Sequence, residues 1–80
     1  MTEAEIYAGL TELLRDLFLR DDLVATPTLT APDVPGWDSL KQINVIIAAE
    51  QRFGVKFSSR EIESFEDVGS LARTILDRLG

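Results

Sequence analysis

The chain has 80 residues, a formal net charge of −6, 45% hydrophobic residues, no cysteine and no histidine. This length predicts one small domain, residues 1–80, and the hydrophobic content suffices for one core. Without cysteine the chain has no disulfides and no thiolate metal sites, and without histidine it lacks the commonest general base and metal ligand. The composition therefore argues against an enzyme and against a metal site. The acidity disfavours nucleic acid, and no apolar run is long enough for membrane insertion. We therefore expect a cytoplasmic protein.

A first helix is predicted from Thr2 to about Leu19. Thr2 and Glu5 have the spacing of a capping box, in which each side chain accepts a hydrogen bond from the other residue's backbone amide. Apolar residues then recur at steps of three and four, which is typical of a helix with one buried stripe. The members of this stripe are Ile6, Leu10, Leu13, Leu14 and Leu17.

Residues 20–37 are predicted to form a long first loop. Pro27, Pro32 and Pro35 interrupt any helix there. A loop of this length in a small domain is normally functional or disordered. Apolar residues spaced through it are expected to hold it against the core: Leu23, Val24, Leu29 and Val34.

A second helix is predicted from Ser39 to about Phe53. Asp38 is suited to cap its start, and Gly54 is suited to follow its end in a left-handed conformation. The predicted buried stripe consists of Leu40, Ile43, Ile46, Ile47 and Phe53, with Val45 and Ala49 nearby.

Two further helices complete the predicted all-α fold. A short third helix spans Ser58 to about Ser64, capped by Ser58 and Glu61, with Ile62 and Phe65 pointing inward. Asp67 is placed to cap a last helix from Val68 to about Leu79. The expected architecture is a four-helix bundle with a long first loop and a short third helix. Because the single apolar stripes can cover one another, a monomer is expected.

The most informative segment is Pro35-Gly36-Trp37-Asp38-Ser39-Leu40. It places the hydroxyl of Ser39 at a helix N-terminus, where free amides and the helix dipole favour a phosphate ester. A simpler interpretation is that Asp38 and Ser39 only cap the helix, as most Asp-Ser pairs before an apolar run do.

This segment, together with the helix that follows and its end at residues 50–57 (EQRFGVKF), resembles the acyl carrier protein family. The resemblance covers nearly the whole chain and implies an acyl-carrier-protein-like bundle. It implies that Ser39 takes a 4′-phosphopantetheine arm from coenzyme A, attached by a phosphopantetheinyl transferase (holo-acyl-carrier-protein synthase) that supplies base and metal. The thiol of the arm would hold acyl intermediates as thioesters for partner ligases, synthases and transferases.

The resemblance also gives neighbouring residues possible roles. Asp38 is expected to cap the helix and to help position Ser39 in the transferase complex. Trp37 either anchors the loop or presents a flat surface to partners, and anchoring is favoured. Leu40 is as well suited to the core as to partner docking. Ile62 is expected in the core, with the lining of an acyl-binding seam as the alternative.

The second helix departs from the acidic one of the family's best-known members. Lys41 and Arg52 against the single acid Glu50 give it a formal charge of +1. This favours a specialised carrier for fatty-acid-related or secondary metabolism, with Lys41 in contact with its partners. Two alternatives stay open: an aminoacyl or peptidyl carrier, and an unmodified helical protein-interaction module.

Overall fold

The computed structural model describes residues 1–79, and within them the chain forms four α-helices and no strand. The helices are α1 (Glu3–Phe18), α2 (Ser39–Phe53), α3 (Ser59–Ser64) and α4 (Val68–Leu79). The all-α prediction, the order of the helices and the short third helix are confirmed. A single 3₁₀ turn, Ala31–Asp33, lies inside the long first loop.

Local capping explains why the helices begin and end where they do. The side chain of Thr2 accepts a hydrogen bond from the Glu5 amide, and Ser58 receives one from Glu61 in the same way at the start of α3. The Asp67 carboxylate accepts a hydrogen bond of 2.8 Å from the amide of Ser70 in the first turn of α4. At the end of α2, Gly54 has a φ of 67°, which a residue without Cβ adopts at least cost.

The core lies between α1, α2 and α4, with α1 packed against both of the other two. The most deeply buried large side chains come from these three helices: Ile6, Leu10, Leu14, Val45 and Ile75. Removing the methyl groups of a Leu or Ile from water stabilises the fold by about 1.5–3 kcal/mol per side chain. The α1 prediction is confirmed for its first four stripe residues, and Leu17 is half-buried.

The buried face predicted for α2 is partly wrong. Val45, Ile46, Ala49 and Phe53 are buried, whereas Leu40, Ile43 and Ile47 are 66%, 54% and 45% exposed. At about 100° per residue the centre of the exposed set lies about 140° around the helix from the centre of the buried set. The helix therefore turns one apolar stripe to the core and a second apolar stripe to solvent.

The long first loop is held against the helices by polar contacts as well as by apolar ones. The Arg15 Nε donates to the carbonyl of Leu23 at 2.7 Å, and the amide of Ala25 donates to Thr11 Oγ1 at 2.9 Å. Leu23, Ala25 and Val34 are buried. The prediction that Val24 anchors the loop is wrong. Successive side chains of this stretch point to alternate sides, so Leu23 and Ala25 are buried and Val24 between them is exposed.

Backbone hydrogen bonds join the same loop to the start of α4. The amide of Val68 donates to the Leu29 carbonyl at 2.9 Å, and the amide of Gly69 donates to the Pro27 carbonyl at 3.1 Å. Amides in the first turn of a helix have no partner within it, so the loop supplies the missing acceptors. Leu29 is half-buried against the core, as expected.

Candidate functional site

Ser39 is the first residue of α2 and is exposed. The preceding loop and the helix axis aim this residue outward at one end of the bundle. Its hydroxyl therefore lies at the positive end of a helix of 15 residues, in a position that a bulky phosphate ester can occupy without disturbing the core.

Asp38 caps the helix that begins at Ser39. Its Oδ1 accepts a hydrogen bond of 2.9 Å from the amide of Lys41, as predicted for an N-cap. The carboxylate is thereby fixed beside the serine and remains exposed. Its part in positioning Ser39 for a transferase stays a prediction.

The capping role of Asp38 can be tested by substitution. Asp38→Ala is expected to lower the free energy of unfolding by about 1 kcal/mol because the Lys41 amide loses its acceptor. Asp38→Asn should retain wild-type stability, since asparagine caps equally well. Urea unfolding of the three proteins measures this difference, and equal stability of all three would remove the capping role.

Trp37 anchors the loop to the bundle, as the sequence favoured. Its indole Nε1 donates to Gln42 Oε1 at 2.7 Å. Its ring lies 5.3 Å from that of Phe18, with the planes tilted by 38°. A contact of Trp37 with partners stays a prediction.

Lys41 is held within the chain. Its Nζ donates to the carbonyl of Leu17 at 3.0 Å and lies 5.6 Å from the centre of the Phe18 ring. A cation near the last carbonyls of a helix is favourable, so Lys41 stabilises the end of α1. Its predicted contact with partners is untested, and this structural role is one that sequence reasoning missed.

An open cleft of about 610 Å³ begins beside Ser39. Its walls are the first loop at residues 29–31, α2, α3 and the start of α4. Ile62 lines it, half-buried, together with Ile43 and Phe65. Ile62 is thus both packed against the core and available to a ligand in the cleft. Leu40 is exposed at the rim of the helix, which favours the docking interpretation over packing.

The α3 wall of the cleft is fixed at both ends. The backbone amide of Ser58 donates to Glu61, and this bond together with Arg78 holds the pKa of the Glu61 carboxyl below its ordinary value. Arg78 also donates to the Lys56 carbonyl, so one guanidinium joins α4 to α3 and to the segment before it. At the other end the Phe65 ring packs edge-on against Phe57 at 5.3 Å.

The 3₁₀ turn in the loop wall is another feature that sequence reasoning missed. Its first residue, Ala31, lines the cleft. Asp33 Oδ2 accepts hydrogen bonds from the amide and hydroxyl of Thr30, at 3.0 and 2.9 Å. The Thr30 to Asp33 spacing is that of a local cap, so this signal was present in the sequence.

These features define a class of protein: a small helical carrier domain, with an exposed serine at a helix start and an apolar cleft beside it. Within residues 1–79 there is no cluster of three potential metal ligands and no helix that is long and apolar enough to cross a membrane.

Comparison with known proteins identifies the family. Residues 35–75 match the family model "Phosphopantetheine attachment site". The chain is similar to an acyl carrier protein of Acidothermus cellulolyticus, with 29% identity over 86% of this chain and 82% of the relative. It is also similar to a meromycolate extension acyl carrier protein of Mycolicibacterium smegmatis, with 27% identity over 92% and 75% of the two chains.

A solved structure supports the same assignment. The solution structure of holo acyl carrier protein from Geobacter metallireducens superposes with a TM-score of 0.86 and 32% identity, over 92% of this chain and 85% of that one. The chain belongs to the phosphopantetheine-binding acyl carrier protein family. It is a carrier protein with a phosphopantetheine prosthetic group and is not an enzyme. The alternative of an unmodified interaction module is therefore not supported.

Proposed function

We propose that Ser39 is the residue that carries the phosphopantetheine arm. The observation that carries this proposal is the position of Ser39, exposed at the first residue of α2 and at the edge of the cleft. Three of the four other serines in the matched region are occupied in local structure. Ser58 Oγ accepts from the Glu61 amide, Ser64 Oγ donates to the Glu61 carbonyl, and Ser70 Oγ donates to the Asp67 carbonyl.

Ser59 is the remaining competitor. It is exposed and is the first residue of α3, but α3 has only six residues and Ser59 does not line the cleft. A group attached there would not lie at the opening of the cleft. The geometry therefore favours Ser39 over Ser59.

Attachment of the arm requires a second protein. The Ser39 oxygen forms an ester bond to the phosphorus next to pantetheine in coenzyme A, and the pyrophosphate bond breaks to release adenosine 3′,5′-bisphosphate. A base must accept the serine proton, and the chain has no histidine to do so. A phosphopantetheinyl transferase supplies that base and the metal that neutralises the phosphates.

The cargo that the cleft supports best is an acyl chain. When bound, the arm supplies a thiol on which an acyl group is held as a thioester. Ile43, Ile62 and Phe65 present apolar surface in the cleft, and burial of apolar chain there is favourable at about 25 cal/mol per Å². An aminoacyl or peptidyl cargo gains less, because its charged amine loses water on entering such surroundings.

Delivery of this cargo involves separate partner enzymes. Ligases or synthases load the thiol, and transferases remove the acyl group. A cytoplasmic location accords with this chemistry, since coenzyme A and the transferase must both reach Ser39. We place the chain in a dedicated branch of fatty-acid-related or secondary metabolism, on the grounds that α2 has one acid, Glu50, against two basic residues, Lys41 and Arg52.

Intact-mass spectrometry after incubation with coenzyme A and a broad-specificity phosphopantetheinyl transferase tests the modification. We expect a gain of one phosphopantetheine unit. Unchanged mass in a protein shown by circular dichroism to be folded would contradict the proposal.

Trp37, the single tryptophan, tests the cargo because it lines the cleft. Loading the arm with an octanoyl group should shift its emission relative to the unloaded arm, whereas a glycyl group should not. The same emission for both cargoes would contradict the preference for acyl chains.

A further inference from the structure

A single hydrogen bond fixes which way the side-chain amide of Gln42 faces. The Trp37 indole Nε1 donates to Gln42 Oε1 at 2.7 Å, and both residues line the cleft. An indole N–H can only donate, so the carbonyl end of the amide must face Trp37. The other end of the amide, Nε2 with its two N–H donors, is therefore turned away from the indole and is left for another acceptor.

Gln42 supplies the one uncommitted side-chain donor among the residues that line the cleft. The Thr30 hydroxyl donates to Asp33 Oδ2 at 2.9 Å, and the Trp37 indole donates to Gln42. The Ser39 hydroxyl loses its proton when the arm is attached. The remaining polar side chains of the lining are carboxylates, which accept hydrogen bonds at neutral pH: Asp38, Glu66 and Asp67. In the described part of the chain, Gln42 is thus the side chain that can donate to a group entering the cleft from Ser39.

Gln42 lies one turn of α2 beyond Ser39 and is half-buried. Residues three apart on a helix are neighbours on its surface, with Cβ atoms about 5–6 Å apart. The phosphate is expected at Ser39 itself, so Gln42 is placed to meet the part of the arm that follows the phosphate. That part is a pantoyl group, which ends in an amide carbonyl. Gln42 Nε2 is therefore a donor placed where the arm presents an acceptor.

We propose that Gln42 positions the arm at the opening of the cleft by donating from Nε2 to the first amide carbonyl of phosphopantetheine, and that Trp37 holds the Gln42 amide in the orientation this requires. The inference rests on the proposed function, because it assumes that the arm is attached to Ser39. Partial burial strengthens such a hydrogen bond relative to one in open water. The bond would direct the arm from Ser39 into the cleft.

Nuclear magnetic resonance relaxation of the arm tests the proposal. Coenzyme A labelled with ¹⁵N in its two pantetheine amides, used with excess transferase, gives a protein in which the order parameter of each amide is measured. In the wild type we expect an order parameter above about 0.6 for the first amide, next to the pantoyl group, and below about 0.6 for the second, nearer the thiol. The Gln42 side-chain amide signals should also shift when the arm is attached.

Two substitutions of Gln42 remove the donor. Gln42→Glu keeps an acceptor for the Trp37 indole but has no N–H, so the first amide of the arm should become as mobile as the second. Gln42→Met removes the donor without adding a charge and should have the same effect, which separates loss of the donor from repulsion of the phosphate. Thermal unfolding checks that both variants are folded.

Gln51→Glu is the matched control for the added charge. Gln51 is an exposed residue of the same helix that does not line the cleft. It lies twelve residues from Ser39, or about 18 Å along the helix axis, so it is beyond the reach of the first amide of the arm. The order parameters of this variant should equal those of the wild type.

Trp37→Phe tests the orientation of the Gln42 amide separately. Phenylalanine keeps an aromatic ring for contact with Phe18 but has no N–H, so the Gln42 amide is free to turn. We expect the order parameter of the first amide to lie between those of the wild type and Gln42→Glu. The single tryptophan gives one indole N–H signal, and equally slow exchange of this proton in wild type and Gln42→Glu would show that its hydrogen bond persists.

The outcomes separate this inference from the proposed function. A first amide as mobile as the second in the fully modified wild type overturns the role of Gln42 and leaves the proposed function intact. An unchanged order parameter in Gln42→Met, or an equal fall in Gln51→Glu, has the same consequence. No modification of the wild-type protein removes the proposed function and the role of Gln42 with it.

Discussion

Ser39→Ala is expected to abolish phosphopantetheine attachment completely, because the ester bond needs the side-chain oxygen. The fold should not change, since Ser39 is exposed and alanine is a good helix former, and stability should stay within about 0.5 kcal/mol of the wild type. Intact-mass spectrometry after incubation with transferase and coenzyme A measures the loss. Urea unfolding confirms that the variant is folded.

Ser59→Ala is the matched control for this experiment. Ser39 and Ser59 are both exposed first residues of helices, and both follow a residue whose side chain caps the helix. The control should gain one phosphopantetheine unit as the wild type does. Modification of Ser39→Ala, or loss of modification in Ser59→Ala, would show that the arm is attached elsewhere.

The helix ends could be predicted from sequence because capping is local. Thr2, Asp38 and Ser58 each receive a hydrogen bond from an amide three residues later, as their spacing indicated. Gly54 likewise ends α2 in the left-handed conformation. Such contacts need only a few neighbouring residues, so a single sequence contains the necessary information.

The orientation of α2 could not be predicted in the same way. The helix has apolar residues on two faces, and periodicity alone does not indicate which face is buried. Packing against α1 decides it: Val45, Ile46 and Ala49 face the core, and Leu40 and Ile47 face solvent. The side that local reasoning misassigned to the core is the one next to Ser39.

The contacts of Lys41 and of the long first loop could not be predicted from the sequence, for a different reason. Lys41 reaches a carbonyl that lies 24 residues earlier in the sequence. Val68 donates to Leu29, which is still more remote from it in the chain. Pairings of this kind depend on the assembled fold. The length and composition of the loop therefore marked it as unusual, but they did not indicate that backbone hydrogen bonds join it to α4.

Gly69→Ala is expected to disturb the long first loop where it meets the start of α4. A Cβ on residue 69 would lie 2.6 Å from the Pro27 carbonyl oxygen and 3.2 Å from its Cα. Both are backbone atoms, so no side-chain rotation relieves the contact. We expect a loss of about 1–3 kcal/mol of unfolding free energy, which exceeds the gain of about 0.5–1 kcal/mol from replacing glycine in a helix.

The local consequence should reach the cleft. Moving residue 69 away from Pro27 breaks the hydrogen bond from its amide to the Pro27 carbonyl. It also weakens the neighbouring hydrogen bond from the Val68 amide to the Leu29 carbonyl. Leu29 and Ala31 line the cleft, so its loop wall loses support. Amide hydrogen exchange measures this directly: exchange at Val68 should accelerate relative to exchange at Ile75, which is fully buried in α4.

Gly54→Ala distinguishes a local effect from general destabilisation. Its Cβ would meet open space, but its φ of 67° is strained for alanine, so it should lose about 1–2 kcal/mol without touching the loop. In this variant exchange at Val68 and Ile75 should rise together. If Gly69→Ala behaves identically, the loop is not held by α4 and the cleft does not depend on that contact. If only Gly69→Ala releases Val68, two backbone hydrogen bonds maintain the wall beside which the cargo is expected to lie.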